Sequence, residues 1–302
     1  MEELNLNLDK LILGSNPLYG VDHFSSQRAR EKARGMTSDK IISVLKASFS
    51  SGATGFNFSP HPAIYANLGR LKEEGYGARV GLYPMLPDTQ SYITAQLKSG
   101  TTGMIRHLFT DLGLSTGTHA LIEGTLSWLT SDPTRALKLY LDVEVKRLAE
   151  IAPRNFEIRV VLAHEMLTDL ALALELDQMV KTYVEYLHDK YKIEAGFVTR
   201  NFPRFVEFCE RHNLPPSDLV IMTPFNRVGF QMTPSREHCE QTLKKLGGER
   251  LIAMSVLAAG QIGLDDGIEY LKGAGVKSAC VGVSTPSHAN ETFQKLLRAF
   301  SD

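Results

Sequence analysis

AGFVTRNFPRFVEFCERHNLPPSDLVIMTPFN, residues 195–226, holds one complete strand–helix–strand repeat. Its first run, AGFVTRN, and its last, LVIMTPFN at 219–226, are apolar at consecutive rather than alternate positions. Strands buried on both faces read this way, and parallel strands covered by helices are the common case. Between the runs, Phe205, Val206 and Phe208 make the apolar side of a helix expected over 203–212, and Pro215 and Pro216 stop it.

The same alternation extends in both directions. Apolar runs lie upstream at 11–15 (LILGS), 55–59 (GFNFS), 79–84 (RVGLYP) and 159–165 (RVVLAHE), and downstream at 251–257 (LIAMSVL) and 279–284 (ACVGVS). Helices are expected over 38–50, with Ile41, Ile42, Leu45 and Phe49 on one face and Ser38 as N-cap, and over 288–300, with Phe293, Leu296, Leu297 and Phe300. Eight strands alternating with helices predict an α/β fold, a (β/α)8 TIM barrel, in a single domain over 1–302. A doubly wound open sheet is the alternative, but no GxGxxG follows the first run. Residues 88–152 are too long for a simple connection and read as a helical insert after strand 3. An alternative makes HALIEGT (119–125) a strand. Placed after strand 3, the insert is expected at the barrel mouth, as a lid or pocket wall; the other reading is a packing or homo-oligomer surface.

Composition narrows the function. With 43% hydrophobic residues the chain can bury a large core, and a formal net charge of −1 with no dominant charge block argues against nucleic acid or an anionic membrane as partner. A small-molecule substrate is expected instead. Cys209, Cys239 and Cys280 are odd in number and widely spaced, which suits a reducing, cytoplasmic setting better than a disulfide framework.

Active sites of such barrels lie at the C-terminal ends of the strands. There the sequence places Ser15, Asn16, Asp22, His23, Asn57, Ser59, His61, Tyr83, His164, Glu165, Thr199, Arg200, Asn201, Thr223, Asn226 and Ser255. The set is rich in histidine and carboxamide and poor in carboxylates, which disfavours a two-carboxylate glycosidase. No two of its histidines have the i, i+4 spacing of a HExxH helix, and no metal is expected. In VVLAHEMLTD (160–169), strand alternation points His164 and Glu165 to opposite faces, with His164 toward the mouth. In the last unit, VGVSTPSHANET (281–292), Gly282 permits close approach of backbone or ligand. Ser284 or Thr285 caps the next helix, with Pro286 just inside it, and that helix N-terminus is a candidate anion site.

Taken in order, GFVTRNF, IMTPFN, MSVLAAGQI and VGVSTPSHANET in the second half, with LILGS and SGATGFNFSPHPAIY in the first, resemble the aldo-keto reductases. The resemblance covers most of the chain outside the insert. It implies carbonyl reduction with NADP or NAD bound in extended form, and a tyrosine acid assisted by Asp, Lys and His. On this chain it implies catalytic roles for His164, for Asn57 in the position of the Asp, and for Tyr65 or Tyr19 as the phenol, with His23 nearby; Tyr83 is a further tyrosine. Pro84 stands nearest the Lys position. Cofactor contacts are implied for Arg200, Asn201, Met222 and Ser255, and, on the phosphate and adenine side, for Ser284, Asn290 and Glu291; Phe225 takes the place of a stacking tyrosine. Two functions follow as expectations. One is a reductase of small carbonyl compounds with an altered proton donor. The other is a barrel that has lost hydride transfer and uses His164, with His23 or His61 as partner, for lyase- or isomerase-type acid–base chemistry on a small polar or phosphorylated ligand.

Overall fold

A computed structural model describes residues 8–19, 36–87 and 133–301. The strands are β1 (Leu11–Gly14), β2 (Gly55–Phe58), β3 (Val80–Leu86), β4 (Phe156–Ile158), β5 (Val160–Ala163), β6 (Glu194–Val198), β7 (Val220–Pro224), β8 (Leu251–Met254) and β9 (Ser278–Gly282). All pair in parallel. The order β2-β1-β9-β8-β7-β6-β5-β3 closes through a β2–β3 pairing. β4 and β5 share one place in the wall, both on β3, so the barrel has the eight expected positions. The helices that cover it are α1 (Ser38–Ser50), α2 (Pro62–Glu73), α3 (Pro133–Ile151), α4 (Glu165–Ala173), α5 (Asp177–Tyr186), α6 (Phe202–Arg211), α7 (Arg236–Leu246), α8 (Leu264–Ala274) and α9 (Pro286–Phe300).

Two layers of core follow from strand alternation. One side of each strand meets the helices in a large outer cluster that includes Leu11, Leu13, Phe56, Phe58, Phe197, Phe205 and Phe293. The other side fills the barrel with Ile12, Tyr83, Val160, Leu162, Val198, Val220, Met222, Ile252 and Cys280. Gly55, Gly81 and Gly196 make room for this filling. A Cβ on Gly196 would lie 2.5 Å from Leu162 Cδ2.

The fourth wall position departs from the single strand expected over 159–165. Leu82 pairs with Ile158, but three residues further along β3 Met85 pairs with Leu162, four residues further on. The extra residue is Arg159, a β-bulge. Phe156 and Ile158 face the outer cluster, and so does Val161, yet Val160 and Leu162 face inward. The bulge therefore inverts the alternation, so that its continuation beyond Ala163 would put position 164 on the interior side. It also sends Arg159 to the N-terminal end of the barrel, where its Nη1 pairs with Asp9 Oδ2 at 3.0 Å. Tyr83 donates to the same carboxylate at 2.8 Å, and Ser278 Oγ donates to Asp9 O. Desolvation pushes the Asp9 carboxyl above the usual carboxylate range. A second ion pair, Arg250 Nη1 to Glu194 Oε2 at 3.0 Å, joins this polar floor.

The caps settle several boundaries. Thr37, not Ser38, caps α1, accepting from Lys40 N–H. Thr285 caps α9, accepting from His288 N–H at 3.2 Å, and Pro286 opens the helix. The part of the expected insert that is described, α3, packs outside the barrel between α2 and α5. Tyr65 of α2 reaches its Glu144, and its Asp142 accepts from Tyr186 of α5 at 2.8 Å. The remainder, 88–132 with HALIEGT, lies outside the described residues, as do Asp22 and His23. No described helix is long and apolar enough to cross a membrane.

Candidate functional site

β5 ends at Ala163, and His164 is the one residue between it and α4. Its backbone is extended (φ −60°, ψ 145°), and its Nδ1 accepts the Met166 N–H at 3.1 Å. This is an N-cap made by an imidazole. It also fixes the neutral tautomer, because a ring that accepts at Nδ1 carries its proton on Nε2. Glu165 is then the first residue of α4 rather than the last of a strand. What turns it away from His164 is the helix start, not strand alternation.

Glu165 takes part in a network that links α4 to the end of β6. Arg200 grips it side-on, with Nε to Oε2 at 3.1 Å and Nη2 to Oε1 at 2.7 Å. One helical turn on, Asp169 accepts from Thr199 Oγ1 at 2.8 Å. Burial, then the charge of Glu165, raises the Asp169 carboxyl, while Thr199 and Arg200 oppose the rise. Gly196 and Val198 face the barrel interior, so alternation brings Arg200 to the mouth and Thr199 to the helix side. Asp169 is absent from the set of strand-end residues expected in the site. Its sequence signal is the i, i+4 spacing to Glu165, which places both carboxylates on one helical face.

Asn57 faces the interior at the end of β2. Its Nδ2 donates to Tyr83 O at 2.9 Å, and its Oδ1 lies 3.9 Å from Cys280 Sγ, whose thiol burial pushes up to about 12. A carboxamide so held supplies polarity but no titrating proton. The tyrosines lie elsewhere. Tyr65 is on α2, packed on the outer cluster, and its hydroxyl donates to the buried Glu144. Burial, then the Glu144 charge, pushes that phenol far above its ordinary value. Tyr19 also packs on the outer layer, where Asn67 Nδ2 donates to its hydroxyl at 3.4 Å. Tyr83 is the one described tyrosine inside the barrel, and its hydroxyl points to Asp9 at the opposite end. Among the described residues, then, no phenol stands with His164. Helix packing engages both phenols expected in the site, Tyr65 with Glu144 and Tyr19 with Asn67. His61, whose ring lies near Tyr19, spends its Nδ1 on the Ala63 N–H as the α2 cap.

Several of the positions expected to hold a nicotinamide dinucleotide are engaged elsewhere. Met222 is 4% exposed among the barrel-filling residues and offers no donor to a carboxamide. Phe225 is fully buried in the outer layer, stacked on Tyr270, and cannot stack on a ring in the mouth. Asn290 accepts from Ser51 Oγ at 2.6 Å, tying α9 to the end of α1. Glu291 is exposed and lies 3.8 Å from Lys295, whose nearer partner is Asp265. The bare face of Gly282 is covered by Pro17, whose Cδ and Cγ lie 2.7 Å from where a Cβ would stand, so no ligand makes the close approach there. Ser255 sits at φ 52° and Ser284 is exposed. Asn201 alone keeps a carboxamide with no partner among the described residues.

No protein-family model and no curated protein matches the sequence. Solved structures do match. A candidate aldo-keto reductase from Pseudomonas aeruginosa superposes with a TM-score of 0.56 at 16% identity, over 98% of this chain and 92% of that one. MGS-M4, an aldo-keto reductase from a Medee basin deep-sea metagenome library, gives 0.52 at 14% identity, over 98% and 92%. A candidate 2,5-diketo-D-gluconic acid reductase B gives 0.53 at 11%, over 97% and 86%. At these identities the likeness speaks to architecture, and on that ground the chain has the barrel fold of the aldo-keto reductases.

Proposed function

We propose that the barrel mouth is the active site of an enzyme that acts on a small polar substrate by acid–base chemistry, a lyase- or isomerase-type step, with His164 meeting the reacting oxygen. One observation carries this reading: the hydrogen bond from Met166 N–H to His164 Nδ1. It holds the ring in one tautomer at the inward-facing end of β5, with its proton on Nε2. A neutral imidazole so fixed donates Nε2–H to a carbonyl and stabilises the oxyanion that forms as a neighbouring C–H bond gives up its proton to solvent water, without reorganising as the charge develops. The positions of Asn57, Tyr65 and Tyr83 support the same reading, since none leaves a titrating proton in the mouth among the described residues. The test follows solvent deuterium entering the C–H positions of a panel of hydroxy and keto acids and sugars, by proton NMR. Exchange should depend on the wild-type chain and fall by roughly two to four orders of magnitude in His164→Gln, the usual scale of acid–base catalysis. Exchange that is equal in both proteins would sink the proposal.

A second reading retains hydride transfer: an oxidoreductase of a small carbonyl compound using NADP or NAD. Asn201 favours it, with its unpartnered carboxamide at the end of β6, and so do the reductases among the structural neighbours. Fluorescence titration with NADPH and NADH separates the two. Saturable binding of either supports the second reading, and no binding at millimolar cofactor removes it.

A further inference from the structure

α4 turns an apolar side to solvent as well as to the barrel. Its barrel side carries the buried Thr168 and Leu172, with Asp169 bonded to Thr199 and Glu165 to Arg200. Its outer side carries Met166, Leu167 and Leu170, which are 50, 44 and 48% exposed, and the stripe runs on through the C-cap Leu174, 59% exposed, to Leu176. Among the described residues, Val228 and Leu297 are the only other large apolar side chains so exposed. Leucines scattered singly are ordinary on a protein surface, but a contiguous stripe marks a contact.

The pattern of the stripe selects its occupant. Leu170 is the midpoint. Met166 stands one helical turn before it and Leu174 one turn after it, while Leu167 and the exposed Ala173 stand three residues to either side. Turned end for end about Leu170, the stripe meets itself with Met166 on Leu174, the large Leu167 on the small Ala173, and Leu170 on Leu170. That is the condition for a two-fold interface, in which one patch serves both partners. Charge agrees. Asp169 is turned to Thr199, and the carboxylates at the two ends of the stripe, Glu165 and Glu175, each hold an arginine, Arg200 at 2.7 Å and Arg211 at 3.0 Å. The ends therefore also meet as neutral pairs. Five side chains about half exposed make a patch of roughly 400 Å². Two such patches closed together lie at the low end of interface sizes, where association is weak and reversible.

We infer that the outer face of α4 seats a second copy of this chain, the two helices antiparallel across a two-fold axis at Leu170. The inference is independent of the chemistry proposed for the mouth.

Sedimentation equilibrium of the full chain tests it. Wild type should pass reversibly from monomer to dimer with a Kd on the order of 100 µM. Leu170→Glu sets two carboxylates on the axis and should weaken the dimer at least tenfold, with the melting temperature unchanged because the position is exposed in the monomer. Leu170→Cys should give a disulfide-linked dimer on mild oxidation, whereas Leu297→Cys, at an equally exposed position on α9, should not; the native Cys209, Cys239 and Cys280 are buried and do not compete. Direction is read from M166K/L174E, which in antiparallel helices brings opposite charges together and should dimerise more tightly than either single variant. A dimer unchanged in Leu170→Glu, or linked as readily through Leu297→Cys, overturns the seat. No gain in M166K/L174E over the single variants overturns the antiparallel arrangement. A chain that is monomeric at every concentration overturns the second copy, and uptake of a thiol reagent by Leu170→Cys then tells a bare face from one covered by the chain's own residues 88–132.

Discussion

Replacing Tyr65 by Phe separates a structural phenol from a catalytic one. The hydroxyl donates to Glu144, a carboxylate only 2% exposed between α2 and α3. Phe keeps the ring, and with it the Arg147 guanidinium 5.5 Å above the ring centroid. Arg147 Nη1 also stays on the other carboxylate oxygen at 3.2 Å. The change thus removes one hydrogen bond to a buried charge, on the order of 1.5–3 kcal/mol, and the retained Arg147 contact places the loss near ~2 kcal/mol. At roughly 2 °C per kcal/mol for a chain of this size, the melting temperature should fall by about 4 °C. Urea unfolding of wild type, Tyr65→Phe, Glu144→Gln and the double variant measures it. The two single losses should add to more than the double loss, because both remove the same bond. Ligand binding at the mouth should be unchanged. If Tyr65→Phe matches wild-type stability within about 0.5 kcal/mol and abolishes binding or turnover, the placement of Tyr65 outside the site is refuted.

Other outcomes follow from the same geometry. Gly282→Ala would drive a methyl into the Pro17 ring, 2.7 Å away, and should cost about 1–3 kcal/mol in denaturant unfolding. Thr285→Ala removes the α9 cap bond to His288 N–H and should cost about 1 kcal/mol, read from the same curves. Asp9 gives a pH dependence. Desolvation raises its carboxyl in the folded state, so the native protein holds this proton to higher pH than the unfolded chain. Its contribution is complete below the ordinary aspartate range and is lost as pH rises through the folded value. Wild-type stability measured against Asp9→Asn should therefore decline with rising pH across that window. A difference that grows with pH would contradict the desolvated floor.

The strand–helix alternation was legible because burial on both faces leaves consecutive apolar runs, and because Pro and capping residues stop each helix. The wall closed as that pattern implied. The bulge at Arg159 was not legible. When both faces are apolar, as in RVVLA, a two-residue period carries no information about which side is which. The polar floor was hidden for a different reason: Asp9 and Tyr83 meet only across the closed barrel, 74 residues apart in sequence. For the candidate site, His164 could be read from an apolar run ending on an ionisable group. Tyr65 enters through the family resemblance, which works by order along the chain. Pro62, at the start of α2, already says that Tyr65 lies a turn inside a helix. The bond between Glu165 and Arg200 joins the start of α4 to the loop after β6 and leaves no local trace in either.

The extra residue in the fourth wall position acts as a half-period phase shift. Everything after it, up to the start of α4, exchanges lumen for periphery, and the exchange ends where strand alternation ends. Whether this chain presents an imidazole to its lumen is thus decided five residues before the imidazole, by the count of residues rather than by their identity. Substitution at the site can remove that ring, but the loss or gain of a single upstream residue would relocate it, along with Val160 and Leu162, in one step.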